Sequence, residues 1–86
     1  MAEKEIGFVE HWFGHLMVAG IKITDGPLKV GDKVRIKGHT SDFICSIDTM
    51  EMEHGHIDVA NNGDDIGVKV PEHARDNDKV YLVTEE

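Results

Sequence analysis

The sequence predicts an all-β protein, a small barrel of six or seven strands. Apolar and polar residues alternate with a period of two along most of the chain. Clusters of turn formers interrupt the alternation every eight to twelve positions or so, the spacing of a sandwich or barrel. No segment holds a helical period. An open sheet of this many strands leaves unpaired edges, so closure is the expected way to satisfy them. One domain over residues 1–86 is expected, with its core between about residues 6 and 83.

Each element follows from local pattern. Residues 6–10 open the first strand. Trp12-Phe13-Gly14-His15 reads as a hairpin turn, where Gly14 accepts a positive φ. Residues 16–23 form the second strand, with Met17, Ala19, Ile21 and Ile23 on one face. Asp25-Gly26-Pro27 stops it. Gly31-Asp32 turns into a short strand over 33–37, with Val34 and Ile36 inward and Lys33, Arg35 and Lys37 outward. After the polar loop 38–42, Phe43, Cys45 and Ile47 alternate inward. At Thr49 the pattern slips to Met50 and Met52, which predicts a bulge near residues 48–50. Residues 57–60 are a short apolar segment, and Asn61-Asn62-Gly63-Asp64 is a turn. Ile66, Val68 and Val70 alternate until Pro71 ends the strand. Residues 74–78 turn the chain into a last strand over 79–83.

Charge narrows the partners. Nine Lys and Arg stand against 17 Asp and Glu, a net charge of −8. Non-specific nucleic-acid binding depends on Lys and Arg displacing phosphate counterions, so it is not expected, nor is an anionic membrane surface. No apolar run is long enough to cross a membrane. The charged start Met1-Ala2-Glu3-Lys4-Glu5 has no signal-peptide core, and the single Cys45 suits a reducing compartment, so a cytoplasmic location is expected.

A search for chemistry yields little. There is no G-x-x-x-x-G-K-[ST] and no G-x-G-x-x-G. Cys45 shares a face with Phe43 and Ile47, which favours a packed thiol over a nucleophile. His54-Gly55-His56 places two imidazoles on one extended face, near Asp58, but zinc sites gather three or four ligands. His11 and His15 flank the expected turn. The pairs Asp64-Asp65 and Glu51-x-Glu53 read as solvation in an acidic chain. No catalytic residue, cofactor or metal is therefore expected, and no enzyme. Trp12 and Phe13 at a turn, and Met50 and Met52 after the slip, stand out as contact groups, with closing the barrel ends as the plain alternative.

Several segments resemble domain II of translational GTPases such as elongation factors Tu and 1-alpha and initiation factor two. They are Leu28-x-Val30-Gly31-Asp32-x-Val34-x-Ile36, Ile47-Asp48-Thr49-Met50-Glu51-Met52-Glu53-His54 with Val59-Ala60-Asn61-Asn62-Gly63-Asp64-Asp65-Ile66-Gly67-Val68, and Ala74-Arg75-x-x-Asp78-x-Val80-Tyr81. The resemblance implies a closed antiparallel Greek-key β-barrel that is translation elongation factor-like, without the GTPase domain. Similar barrels also form the C-terminal module of collagenase-like U32 peptidases. The resemblance places the tRNA-end pocket of the family near Met50 to His54 and Gly63 to Gly67, with Glu51 and Glu53 where the family carries a basic residue.

The expectation is a stand-alone, non-catalytic module that docks to a protein or ribonucleoprotein partner, the ribosome or translation machinery included. Two alternatives are a direct RNA or tRNA-end binder and an accessory subunit of a U32-type peptidase. The expected contact residues are Trp12, Phe13, Met50, Glu51, Met52, Glu53, His54, Gly63, Asp64 and Gly67.

Overall fold

In the computed structural model, which describes residues 2–53 and 55–84, the chain is built of strands and turns with no helix among the described residues. The strands are β1 (Ala2–Phe13), β2 (Val18–Ile23), β3 (Leu28–Lys29), β4 (Lys33–Lys37), β5 (Asp42–Ser46), β6 (Met50–Met52), β7 (Gly55–Ile57), β8 (Val59–Ala60), β9 (Asp65–Lys69) and β10 (Lys79–Thr84). Eight of them make one sheet in the order β5-β4-β10-β1-β2-β9-β6-β7, and β3 pairs with β8 in a second. All these pairings are antiparallel.

The expected closed barrel of six or seven strands is corrected here. Among the described residues no ladder joins β5 to β7, so the large sheet keeps two edges. It still wraps a single core. Ile6 and Val9 from β1, Ala19, Ile21 and Ile23 from β2, Val34 and Ile36 from β4, Phe43, Met50, Val68 and Val80 form one buried cluster. Strands from both ends of the sheet contribute, so the sheet curls around its apolar face. The short β3–β8 pair adds Leu28 and Ala60 to the same cluster.

The inward alternation of β2, β4, β5 and β9 follows the sequence pattern. Val34 lies opposite Cys45 and Ile36 opposite Phe43. Cys45 is half-buried and packs against the core. Ile47 is buried just beyond β5, where its backbone bonds both to Gly31 and to Asp32 at 2.8 Å.

Three turns use one chemistry. In Lys29–Asp32, Asn61–Asp64 and Arg75–Asp78, the Asp carboxylate accepts the N–H of the first residue at 2.9, 2.8 and 2.9 Å. The Asp N–H donates to that residue's carbonyl at 3.0, 3.0 and 3.1 Å. The third residue takes a positive φ in each: Gly31 at 98°, Gly63 at 88° and Asn77 at 73°. Glycine and asparagine are the residues that accept this conformation most readily. Each turn feeds directly into a strand, β4, β9 or β10.

Other boundaries differ from expectation. β1 runs through Trp12 and Phe13, and the turn lies over residues 14–17. Met17 is in that turn with φ 53° and 38% exposed, not on the inward face. The apolar segment 57–60 divides between β7 and β8, which belong to different sheets. The expected bulge near 48–50 is absent because the chain leaves β5 there and crosses to pair with β9. The register shifts lie in β1 instead, between Glu5 and Gly7 against β10 and between Val9 and His11 against β2.

Candidate functional site

The outer face of the large sheet carries a groove, and its floor is made by pairing. Along β2 the residues facing out are Val18, Gly20 and Lys22, since Ala19, Ile21 and Ile23 face in. Along β9 they are Asp65, Gly67 and Lys69. Gly20 lies directly opposite Gly67, and Lys22 opposite Asp65. His11 faces Gly20 from the other side, and Glu51 faces Gly67. One row across the sheet therefore reads His11, Gly20, Gly67, Glu51, His56. Two adjacent glycines leave a depression where side chains would otherwise stand, and glycine inside a strand often marks close approach by another backbone or ligand.

The walls come from the ends of that row. A volume of about 440 Å³ is bounded by Glu10, His11, Phe13, Glu51, Met52, Glu53, Asp65 and Ile66 above the two glycines. Phe13 leans over Gly20, where an added Cβ would meet its ring at 3.4 Å. Its ring meets His11 edge-on, with centroids 4.5 Å apart. The β1 register shift makes Glu10 the extra residue, so Glu10 and His11 both reach the groove from adjacent positions. On the opposite wall the β6–β9 ladder ends at Glu51, and Met52 emerges to 36% exposure. A second depression adjoins, lined by Met52, Glu53, Gly63, Asp64 and Asp65.

The electrostatics are acidic. Glu10, Glu51, Glu53 and Asp65 line the groove, against the single imidazole of His11. Lys22 Nζ stands 3.4 Å from Asp65, and His56 Nδ1 lies 3.8 Å from Glu51. Glu10 and Asp65 are hydrogen-bonded carboxyls. That bond, then burial and the Asp65 charge, hold Glu10 above the usual carboxylate range. The same bond, aided by Lys22, holds Asp65 below it. Among the described residues no group of three His, Cys, Asp or Glu is placed to hold a metal ion.

The structure sorts the residues that sequence singled out. Phe13, Glu51, Met52, Glu53 and Gly67 meet in the groove, and Gly63 and Asp64 line the adjoining depression. Met50 does not join them. It is wholly buried opposite Ile57 and Val68 and fills the core, because only alternate residues of β6 face out where it pairs. Trp12 parts from Phe13, since neighbours on a strand face opposite ways. Its indole packs on the core and stacks on His73, with centroids 5.0 Å apart and planes at 17°. Its backbone N–H donates to Asp76 at 3.1 Å. His54 lies outside the described residues. Sequence reasoning missed Glu10, His11, Gly20, Asp65 and Ile66. The signal for one was present, since Gly20 stands inside a strand, where glycine often marks close approach.

Fold and groove together define a β-rich domain with an open, acid-rimmed groove, and the comparisons with known proteins say which domain it resembles. No family model matches the chain. It is 33% identical over 82 residues, 94% of its length, to an uncharacterized protease of Methanocaldococcus jannaschii. It is 32% identical over 71 residues, 81% of its length, to a collagenase of Porphyromonas gingivalis. The chain spans only about a fifth of the length of these relatives, 20% in both cases. Two crystal structures of the C-terminal domain of a Geobacillus thermoleovorans protein described as a U32 peptidase share its fold. One has a TM-score of 0.87 at 18% identity, covering 94% of this chain and 93% of that domain. The other, a selenomethionine variant, has a TM-score of 0.83 at 19% identity, covering 90% and 96%. These findings overturn the resemblance to translation-factor domain II. The segments that carried it are the Gly31-Asp32 and Gly63-Asp64 turns and period-two strands, which answer to short-range demands.

Proposed function

We propose that this chain is a non-catalytic docking domain of the kind found at the C-terminus of U32 peptidases, acting as an accessory unit to the part that carries out proteolysis. The observation that carries the reading is one of extent. The likeness fills 94% of this chain but 20% of the protease, so most of that relative lies outside the shared part. The residues support the same reading. Burial, with a smaller effect from Asp48, pushes the Cys45 thiol up, which is the reverse of what a nucleophilic cysteine needs. The groove of carboxylates and apolar side chains offers binding area and repels phosphate.

Collagen is the substrate to try first, because relatives are named collagenases. The chain alone should cleave neither collagen nor gelatin. Mixed with the separately produced catalytic part of a U32 peptidase, it should co-elute and change the rate of cleavage. Proteolysis by the purified chain, or a mixture that neither co-elutes nor changes rate, overturns the proposal.

A further inference from the structure

We infer that the occupant of the apolar groove over Gly20 and Gly67 is an extended, basic segment of another protein. The inference deepens the docking reading and rests on it. Three features select this occupant. The floor is the outer surface of β2 and β9 with two glycines side by side, so a main chain can lie close to it. Phe13, 45% exposed, and Met52, 36% exposed, both line the groove and offer apolar contact to the side chains of a bound segment. The rim carries Glu10, Glu51, Glu53 and Asp65, and the adjoining depression continues it with Asp64. Lys22 offsets part of this charge at 3.4 Å from Asp65, and His56 Nδ1 lies 3.8 Å from Glu51. The remaining excess is negative, as in the chain overall at −8.

Lysine or arginine is the complement. Its ammonium or guanidinium can reach the rim carboxylates while its methylene stem covers Phe13 and Met52. A cation over the Phe13 face adds a cation–π contribution. A polyanion meets mostly like charge at this rim. A metal ion finds no set of three ligands among the described residues.

The test uses the full chain, isotopically labelled, and an end-blocked decapeptide of alternating lysine and leucine. Backbone NMR shifts should move for His11, Gly20, Glu51 and Gly67, saturate, and weaken as salt rises. The same peptide with glutamate for lysine should not bind. The double variant Glu51→Lys with Glu53→Lys should weaken binding roughly fivefold or more, the order set by losing exposed charge pairs. Gly67→Val, whose Cβ would make only ordinary contact with Val18 at 3.4 Å, fills the floor and should weaken it as much. Should either variant fail to fold, the shift map of the unaltered chain decides. Shifts confined elsewhere, equal binding of the glutamate peptide, the same shifts with a single-stranded oligonucleotide, or folded variants that bind as tightly as the parent each overturn the inference. Groove variants that still associate with the peptidase sink the groove and spare the docking reading. Peptide binding without any peptidase association does the reverse.

Discussion

Two methionines two residues apart should behave as opposites, and the contrast tests the placement of β6. Met50 is wholly buried against Ile57 and Val68, whereas Met52 is 36% exposed on the groove wall. Met50→Ala removes most of a buried side chain, and changes of this kind in cores cost about 2–5 kcal/mol. Native domains are stable by only about 5–15 kcal/mol, and a small one sits toward the lower end. Met50→Ala should therefore lower Tm by roughly 8–40 °C, at about 4–8 °C per kcal/mol for a domain of this size. Met52→Ala should stay within about 0.5 kcal/mol of the parent, as exposed substitutions do. Met50→Leu conserves volume and should cost less than about 1.5 kcal/mol. Urea unfolding followed by circular dichroism, with the slope checked for constancy, measures all three. Equal losses for Met50→Ala and Met52→Ala, or a larger loss at Met52, would refute the facing of β6. A one-residue slip would carry both methionines to the outer face and turn Glu51 inward, so both losses would then be small and alike.

Other outcomes follow from single contacts. Cys45 is half-buried with its thiol pushed up, so disulfide reagents should label it more slowly in the folded chain than in denaturant at the same pH; equal rates would place it in solvent. Asp65→Asn removes the main cause of the raised Glu10 value, so an NMR titration should show Glu10 moving down toward an ordinary glutamate. The linkage has opposite signs at the two sites. The raised Glu10 value stabilises below its unfolded pKa and the contribution is lost as pH rises through the folded value; the lowered Asp65 value stabilises above its unfolded pKa and is lost as pH falls. The effects oppose and both groups are exposed, so acid stability should change little while the Glu10 titration moves clearly. His73→Ala uncovers one face of the Trp12 indole, so Trp12 emission should shift to longer wavelength without loss of fold, and an unchanged spectrum would deny the stacking.

The sequence by itself determined which residues of most strands face inward. Ala19, Ile21, Ile23, Val34, Ile36, Phe43, Ile66 and Val68 all lie where alternation put them, because facing along a strand is a local property with period two. The Gly31-Asp32 and Gly63-Asp64 turns were equally legible, since positive φ and an Asp side-chain cap are short-range demands. The slip after Thr49 and the family resemblance pointed to Glu51, Met52, Glu53 and Gly67, but neither says what surrounds them. Only the tertiary structure decided that β9 lies between β2 and β6, which sets Gly67 against both Gly20 and Glu51 and so makes a groove. It also decided that the break after Ile47 is a crossing between strands and not a bulge, which buries Met50, and that the sheet curls without a closing ladder. Strand order and register arise from contacts between residues far apart in the chain. Alternation is the same whichever neighbour a strand takes, so the pattern that sets a residue's face is silent about what stands beside it.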